Sequence, residues 1–311
     1  MTKIVQLSEI KHPEPCVLTV GTFDGVHVGH IGLIRFLTDL AKEEQTCTTI
    51  VTFDPHPREI IHPDGKKISL LTTLQERAEQ LGELGIFRLV VIPFDRDFSL
   101  MDSEQFIRST IWNRIGVSHF VIGYDHHFGK DRSGSVDTVM KLGHELGFKT
   151  TIFPKQNIGD QAVSSTRIRN LILDSGNMER ATELLGRPYQ LSGTVVKGDG
   201  RGRLLGFPTA NILPDDERKL IPKQGVYAVT VTSNGSKYSG MLNIGTRPTF
   251  SSNMQSIEVN LFDMDEQLYG QKLSIDFRFR IRDEKTFSSA DELVKQLISD
   301  RSLSKSMLRL D

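Results

Sequence analysis

The sequence predicts an α/β N-terminal domain built on a parallel sheet, followed by a C-terminal antiparallel β-barrel or sandwich with a terminal helix. Its 311 residues exceed the usual length of one domain. Strand-like and helix-like patterns alternate through the first half, whereas short alternating strands dominate from Tyr189 onward. We place the boundary near Gly186, which gives the domains 1–185 and 186–311.

The first half alternates between apolar strand patterns and amphipathic helix patterns. A helix is predicted from Val28, and a later one begins with Ser103 as its N-cap and ends at Gly116. Strand–helix–strand units at this spacing predict a parallel sheet with both faces covered. The predicted strands are CVLTV (16–20), CTTIVTFDP (47–55), FRLVVIPFD (87–95), SHFVIGYD (118–125) and KTTIFPKQ (149–156).

The second half reads as a barrel or sandwich of short strands. The pair Asn234-Gly235 predicts a tight hairpin turn, and SADELVKQLISD (289–300) predicts one closing amphipathic helix. The predicted strands are YQLSGTVVKG (189–198), GVYAVTVTS (225–233), KYSGMLNIG (237–245), SIEVNLFD (256–263) and LSIDFRFRIR (273–282).

The net charge and hydropathy of the sequence limit the kinds of molecule that the protein is expected to bind. The net charge is −1, so no global field attracts nucleic acid, and an anion site has to be local. No apolar run of membrane-spanning length occurs, and the first residues lack the apolar stretch of a signal peptide. We therefore expect a cytoplasmic protein, a monomer or weak homo-oligomer, that binds small molecules and neither nucleic acid nor membrane.

The first strand leads into a glycine-containing turn and a helix, in the stretch GTFDGVHVGH. Asp24, His27 and His30 lie across this junction, and the two histidines are one helical turn apart. A helix start with nearby glycines suits a phosphate. The histidines allow three interpretations: zinc ligands lacking a third partner, satisfied structural side chains, or imidazole donors to phosphoryl oxygens.

The stretch SSTRIR (164–169) allows two interpretations. Hydroxyls before an apolar-periodic run are usually helix caps. Hydroxyls followed by Arg167 and Arg169 at a helix start also suit the β- and γ-phosphates of a nucleotide.

Three groups of residues in the second half are compatible with a site for phosphate transfer: a glycine-containing basic loop, a pair of oxygen ligands and a glutamate. Gly198, Gly202 and Gly206 lie in a basic loop that is either a hairpin turn or a phosphate cradle. In the following PTAN segment, Thr209 and Asn211 offer oxygen ligands for Mg²⁺ on one side of an extended chain. Glu258 is either an exposed strand carboxylate or a general base for a hydroxyl that attacks a γ-phosphate.

Taken in order, the motifs GTFDGVHVGH, TFDPHP, GYDHHFG and SSTRIR resemble the nucleotidyltransferase-type, Rossmann-like FMN adenylyltransferase module of bacterial bifunctional riboflavin kinase/FAD synthetases. The resemblance implies phosphate and transition-state contacts from His27 and His30. It departs from the family where His126 and His127 follow Asp125. It also implies an ATP site shaped by Gly21, Phe23 and Gly29 beside Asp24, a nucleotide or flavin pocket at Asp125, and a triphosphate grip of Ser165, Thr166 and Arg169.

The motifs GRGRLLGFPTAN, GVYAV, NIGTRPTF and IRDEKTF are similar to the riboflavin kinase module of the same family. The resemblance implies a six-stranded barrel, Mg-ATP at Thr209 and Asn211, and Glu258 as base for the ribityl 5′-hydroxyl. Arg282 and Phe287 are then expected in a flavin-side loop.

The implied function is FAD biosynthesis in two steps. ATP phosphorylates riboflavin to FMN, and a second ATP transfers AMP to FMN, with Mg²⁺ expected in both modules. Two alternatives are an HxGH nucleotidyltransferase with another acceptor and a flavin-binding regulator with an inactive site.

Overall fold

The computed structural model describes residues 2–61, 68–124, 129, 134–154, 157–158, 161–198, 200–249, 252–264 and 267–310. Contacts between residues divide the chain into two compact units, Met1–Ser164 and Ser165–Asp311. Each unit is described by itself below.

The first unit contains a six-stranded sheet in which every hydrogen-bonded pair of neighbouring strands is parallel, in the order β1-β4-β3-β2-β5-β6. The predicted parallel sheet is confirmed. The edge strand β1 was not predicted, because it has only four residues and is half exposed. The strands are β1 (Lys3–Gln6), β2 (Cys16–Val20), β3 (Cys47–Asp54), β4 (Arg88–Pro93), β5 (Val117–Gly123) and β6 (Lys149–Phe153), with a separate hairpin of β7 (Asn157–Ile158) and β8 (Gln161–Ala162).

Helices cover both faces of this sheet. The helices are α1 (Val28–Glu43), α2 (Pro57–Ile61), α3 (Leu74–Glu83), α4 (Arg96–Ser99), α5 (Ser103–Gln105), which continues as a π-helix over Phe106–Ile115, and α6 (Val136–Leu146). All five residues of β2 are buried. Leu18 packs into the cluster on one face and Val17 into that on the other.

One predicted helix start is wrong by one residue. The N-cap of α5 is Asp102 and not Ser103, which is the first helical residue. The Asp102 carboxylate accepts from the backbone N–H groups of Glu104 at 2.8 Å and Gln105 at 3.3 Å. A carboxylate at this position caps two free N–H groups and also complements the helix dipole.

The second unit is a closed barrel of six strands in the order β10-β13-β12-β11-β14-β9, with antiparallel pairing throughout. This confirms the predicted barrel. The hairpin at Asn234 and Gly235 has the expected positive φ angles of 48° and 82°. The strands are β9 (Tyr189–Val196), β10 (Ala210–Pro214), β11 (Gly225–Ser233), β12 (Ser236–Thr249), β13 (Ser252–Leu261) and β14 (Lys272–Arg282).

Helices flank the barrel strands in the sequence. They are α7 (Ser165–Asn170), which continues as a π-helix over Leu171–Ser175, α8 (Met178–Leu185), α9 (Arg201–Leu204) and α10 (Ala290–Met307). Helix α8 contacts β9 and β14. The backbone N–H of Lys223 donates to the carbonyl of Ile172 at 3.1 Å. Residues 165–185 therefore pack with the barrel. The predicted boundary between residues 185 and 186 divides the chain by activity, and it stays a prediction.

Among the described residues, we find no helix with the length and apolarity needed to span a membrane.

Two candidate active sites

The loop between β2 and α1 forms the first candidate site. Phe23 and Val26 adopt φ angles of 47° and 38°, and Gly25 has φ 85°. A β-branched residue in the left-handed region is rare, and such strain persists where the surroundings fix the backbone. The backbone N–H of Gly25 donates to Thr72 Oγ1 at 3.0 Å, which helps to fix the turn.

The two histidines of this loop lie together at the start of α1. Their ring centroids are 3.6 Å apart with the planes at 14°, and Phe23 lies 4.9 Å from the ring of His30. His27 is the N-cap residue, and its Nδ1 accepts from the backbone N–H of His30 at 3.4 Å. In a neutral His27 ring with this acceptor role, the proton is on Nε2, which is then the donor. The first turn of α1 adds backbone N–H groups and a partial positive charge.

Two glycines give this loop its close packing. A Cβ on Gly29 would lie 3.3 Å from the ring of His27, and a Cβ on Gly21 would lie 3.0 Å from the ring of Phe23. The side chain at either position would press on the aromatic ring beside it. The predicted shaping residues Gly21, Phe23 and Gly29 are thus close to the histidines, while their contact with ATP stays a prediction.

Asp24 is fully buried and binds the protein framework. Its Oδ1 accepts from Thr72 N at 2.9 Å and Thr72 Oγ1 at 3.2 Å, and its Oδ2 accepts from Leu71 N at 3.1 Å. The Arg77 guanidinium lies 3.9 Å from Oδ1. These contacts give Asp24 a role in holding the turn, and its predicted contact with a nucleotide remains untested.

The remaining residues that the sequence predicts for nucleotide or flavin binding are placed as follows. Ser165 and Arg169 are half-buried and Thr166 is exposed, all in helix α7. Asp125, with His126 and His127, lies outside the described residues.

The second candidate site lies on the barrel, around Glu258. Thr209 Oγ1 donates to Glu258 Oε2 at 3.2 Å. Asn211 on β10 is the register partner of Glu258 on β13, so their side chains lie on one face of the sheet. The structure thus brings three predicted residues together. Asn260 holds the segment in place, since its Nδ2 donates to the carbonyl of Pro208 at 2.7 Å.

The glycine-rich loop closes on these residues. A Cβ on Gly198 would lie 2.0 Å from Asn211 Nδ2, and one on Gly202 would lie 2.3 Å from the carbonyl of Phe207 and 3.3 Å from Thr209 Oγ1. Gly206 has φ 78° and open space around its Cβ position. Gly198 and Gly202 therefore allow the glycine-rich loop to approach Thr209 and Asn211. Gly206, with its positive φ angle, permits the turn that leads from this loop to the PTAN segment.

The donor set of this loop fits Mg²⁺. A threonine hydroxyl that donates its proton to a carboxylate keeps lone pairs for a cation, and Asn211 supplies an amide oxygen. Mg²⁺ in phosphoryl-transfer sites takes few protein oxygens and completes its shell with phosphate and water. Within the described part of the chain, no cluster of three or more His, Cys, Asp or Glu side chains could hold a metal.

Arg282, predicted in a flavin-side loop, forms a buried ion pair. Its Nε donates to both carboxylate oxygens of Asp300 at 3.0 Å, and Nη2 donates to Oδ2 at 2.7 Å. The guanidinium lies 6.0 Å from the ring centroid of Phe287. Next in sequence, a hydrogen bond from Arg280 lowers the pKa of Asp283. The start of the predicted flavin-side loop is thereby tied to β14 and α10.

We expect Asp300→Ala to lower the free energy of unfolding of the barrel unit by about 3 kcal/mol, because it leaves Arg282 without its buried partner. Asp300 is 2% exposed, and it also accepts from Gln296 Nε2 at 2.8 Å. Scanning calorimetry of the full chain measures the loss as a lower transition temperature. Asp291→Ala, at an exposed position of the same helix, is the control. An equal shift in both variants contradicts the prediction.

Three side chains near the sites were given no role from the sequence: Thr72, Asn260 and Asp300. Each contacts a predicted residue or its segment from a distant part of the chain, at separations of 48, 52 and 18 residues. Two of them carried a signal in the sequence. Asn260 lies two residues after Glu258, so alternation places both on one face of the strand. Asp300 lies within an amphipathic helix pattern, which allows its place on the buried face to be examined, whereas Thr72 had no such signal.

Two family models match this chain. The model described as FAD synthetase matches residues 9–167, and the model described as riboflavin kinase matches residues 185–308. The first match contains the histidine loop and the second contains the PTAN segment and Glu258.

Curated relatives match over nearly their whole length. The "Bifunctional riboflavin kinase/FMN adenylyltransferase" of Escherichia coli (strain K12) is 38% identical over 288 residues, which cover 92% of this chain and 91% of the relative. That of Bacillus subtilis (strain 168) is 37% identical over 290 residues, or 92% and 90% of the two chains. Neither relative supports another acceptor or an inactive regulator.

A solved structure shares the fold. The crystal structure described as "Macrolide-efflux Protein from Streptococcus pneumoniae" has a TM-score of 0.88 and 31% identity, and the match covers 97% of this chain and 98% of that one.

Proposed function

Because the chain belongs to the family of bifunctional riboflavin kinase/FMN adenylyltransferases, we propose that its two reactions take place at the two candidate sites described above. Its activities are phosphorylation of riboflavin by ATP to give FMN, and adenylyl transfer from ATP to FMN to give FAD. Riboflavin, FMN and ATP are its small-molecule substrates. We assign adenylyl transfer to residues 1–185 and the kinase to residues 186–311.

For the kinase, Glu258 is the general base. The observation that supports this role is the hydrogen bond from Thr209 Oγ1, which orients the carboxylate at 3.2 Å, with Asn211 opposite in the strand register. Glu258 takes the proton of the ribityl 5′-hydroxyl as that oxygen attacks the γ-phosphorus of ATP, and ADP leaves. Thr209 and Asn211 are proposed to hold Mg²⁺, which neutralises charge on the phosphate oxygens when bound.

The loop glycines and the β14 loop complete this assignment. Gly198, Gly202 and Gly206 are proposed to let the backbone approach the phosphates of ATP. Arg282 and Phe287 are proposed to flank the flavin. The ion pair of Arg282 with Asp300 fixes the guanidinium, which lies 6.0 Å from the ring centroid of Phe287.

For adenylyl transfer, His27 and His30 are proposed to donate to the phosphoryl oxygens around the α-phosphorus. A phosphate oxygen of FMN attacks this phosphorus, and pyrophosphate leaves with the bonding electrons. Negative charge builds on the oxygens of the α-phosphoryl group and of the departing pyrophosphate. Two adjacent imidazoles at a helix start stabilise this charge in the transition state without a covalent intermediate. Ser165, Thr166 and Arg169 are proposed to bind the β- and γ-phosphates, and Asp125 to lie in the nucleotide or flavin pocket.

Isotopic labelling tests the two reactions together. With riboflavin and Mg²⁺, label from the γ-phosphate of ATP is expected in FMN and in the FAD made from it, and label from the α-phosphate is expected, among the flavin products, only in FAD. Chromatography of the products separates these outcomes. A flavin product without the γ-label, or FAD without the α-label, contradicts the assigned chemistry.

We further propose a cytoplasmic monomer or weak homo-oligomer without a nucleic-acid partner. The net charge of −1 provides no field to gather nucleic acid, and ATP, the substrate of both reactions, is supplied in the cytoplasm. Light scattering, retention on immobilised nucleic acid and cell fractionation test these three statements.

A further inference from the structure

One row of residues runs around the barrel from the PTAN segment to the predicted flavin-side loop. Asn211 on β10 pairs with Glu258 on β13, and Glu258 pairs with Asn243 on β12. Asn243 pairs with Val226 on β11, and Val226 pairs with Arg282 on β14. Side chains of directly opposed residues share a face, so this row links the base to the arginine.

Asn243 occupies the position on this row immediately beyond the base. Its chain neighbours Leu242 and Ile244 are fully buried in the barrel, whereas Asn243 is half-buried. Alternation along β12 therefore places Asn243 on the outer face together with Glu258. Adjacent strands are about 4.8 Å apart, so the backbone of Asn243 lies about one strand spacing from that of Glu258 in the direction of Arg282.

A glycine lets the Glu284 carboxylate approach this amide. A Cβ on Gly245 would lie 3.1 Å from Asn243 Nδ2 and 2.2 Å from Glu284 Oε1. Gly245 is the next residue on the same face of β12, so any side chain there would displace both groups. The polar ends of Asn243 and Glu284 thus extend over a bare stretch of backbone.

The amide of Asn243 differs in its contacts from that of Asn260, which lies on the same face. Asn260 is 5% exposed and donates to the carbonyl of Pro208, which engages it in the framework. For Asn243, the structure contains no side-chain hydrogen bond to any residue in the described ranges. A primary amide has two N–H donors and one acceptor oxygen, which complement an alcohol that both donates and accepts.

We propose that Asn243 binds a hydroxyl of the ribityl chain of riboflavin and holds the chain beside Glu258. The inference rests on the proposed role of Glu258 as base. The substrate has to extend from the phosphate at Thr209 and Asn211 to the flavin-side loop at Arg282, and Asn243 lies on the row between them. A hydrogen bond from Asn243 holds the ribityl chain about one strand spacing from the 5′-hydroxyl that reacts.

The test combines two variants with riboflavin analogues that lack single ribityl hydroxyls. Asn243→Ala is expected to lower kcat/KM for riboflavin about tenfold, the effect of losing one net hydrogen bond, with KM for ATP within twofold. Asn243→Thr, which suits a strand but is too short to reach, is expected to show the same loss. In the unchanged protein, one of the 2′-, 3′- and 4′-deoxy analogues is expected to lose about tenfold, and the same analogue is expected to lose nothing more in either variant.

Scanning calorimetry of each variant reports on the folding of the barrel unit, and Ser239→Ala, on the same face of β12, is the matched control. The proposal is overturned if both Asn243 variants stay within twofold for riboflavin, if only KM for ATP rises, or if analogue and variant losses are additive. Glu258→Gln is measured in parallel. If Glu258→Gln keeps full kinase activity, the proposed role of Glu258 fails. If Glu258→Gln is inactive and both Asn243 variants keep their activity with riboflavin, only the proposed role of Asn243 is overturned.

Discussion

Replacing His30 with alanine is expected to lower FAD formation from supplied FMN at least about a hundredfold, the usual cost of one preorganised donor to a developing oxyanion. FMN formation from riboflavin is expected to stay within twofold. The imidazole of His30 stacks on that of His27, with 3.6 Å between the ring centroids. The variant therefore removes one donor and also removes the ring against which the His27 imidazole packs. Chromatographic rates of the two steps, each started from its own substrate, measure the effect.

The control for this variant is His144→Ala, at an exposed position of α6 in the same unit. It removes an imidazole far in sequence from the loop, and both rates are expected to remain within twofold. Equal loss of FMN and FAD formation in His30→Ala contradicts the assignment of separate sites. His30→Gln, which keeps an N–H donor, is expected to retain more adenylyl transfer than His30→Ala.

Replacing Glu258 with glutamine is expected to have the opposite effect. Kinase activity is expected to fall by about two to four orders of magnitude, the contribution of a positioned general base. Adenylyl transfer from supplied FMN is expected to stay within twofold. The amide keeps the shape of the carboxylate and can still accept from Thr209 Oγ1, which donates to Glu258 at 3.2 Å, so the loss reports on the base and not on the packing.

Glu217→Gln is the matched control, because Glu217 is an exposed carboxylate of the same unit. A Glu258→Gln variant with a normal kinase rate contradicts the role.

Local patterns were sufficient for the architecture of both units. Apolar runs separated by amphipathic helix patterns predicted the parallel sheet, since strands buried on both faces read as continuous apolar segments. Alternation after Tyr189 predicted an antiparallel barrel or sandwich, the family resemblance implied the barrel, and Asn234-Gly235 predicted its hairpin. The short edge strand β1 and the N-cap at Asp102 were not predicted correctly, because weak or adjacent local signals compete at such positions.

The sequence by itself determined which candidate residues lie side by side, because residue type and spacing within one loop or strand are local properties. His27 and His30 are three residues apart, and Thr209 and Asn211 are two apart, so each pair follows from the chain geometry alone. Only the tertiary structure decided which distant side chains meet them. Asp24 bonds to Thr72, Glu258 faces Asn243 and Arg282 pairs with Asp300 because of strand register and helix packing, which long-range burial sets.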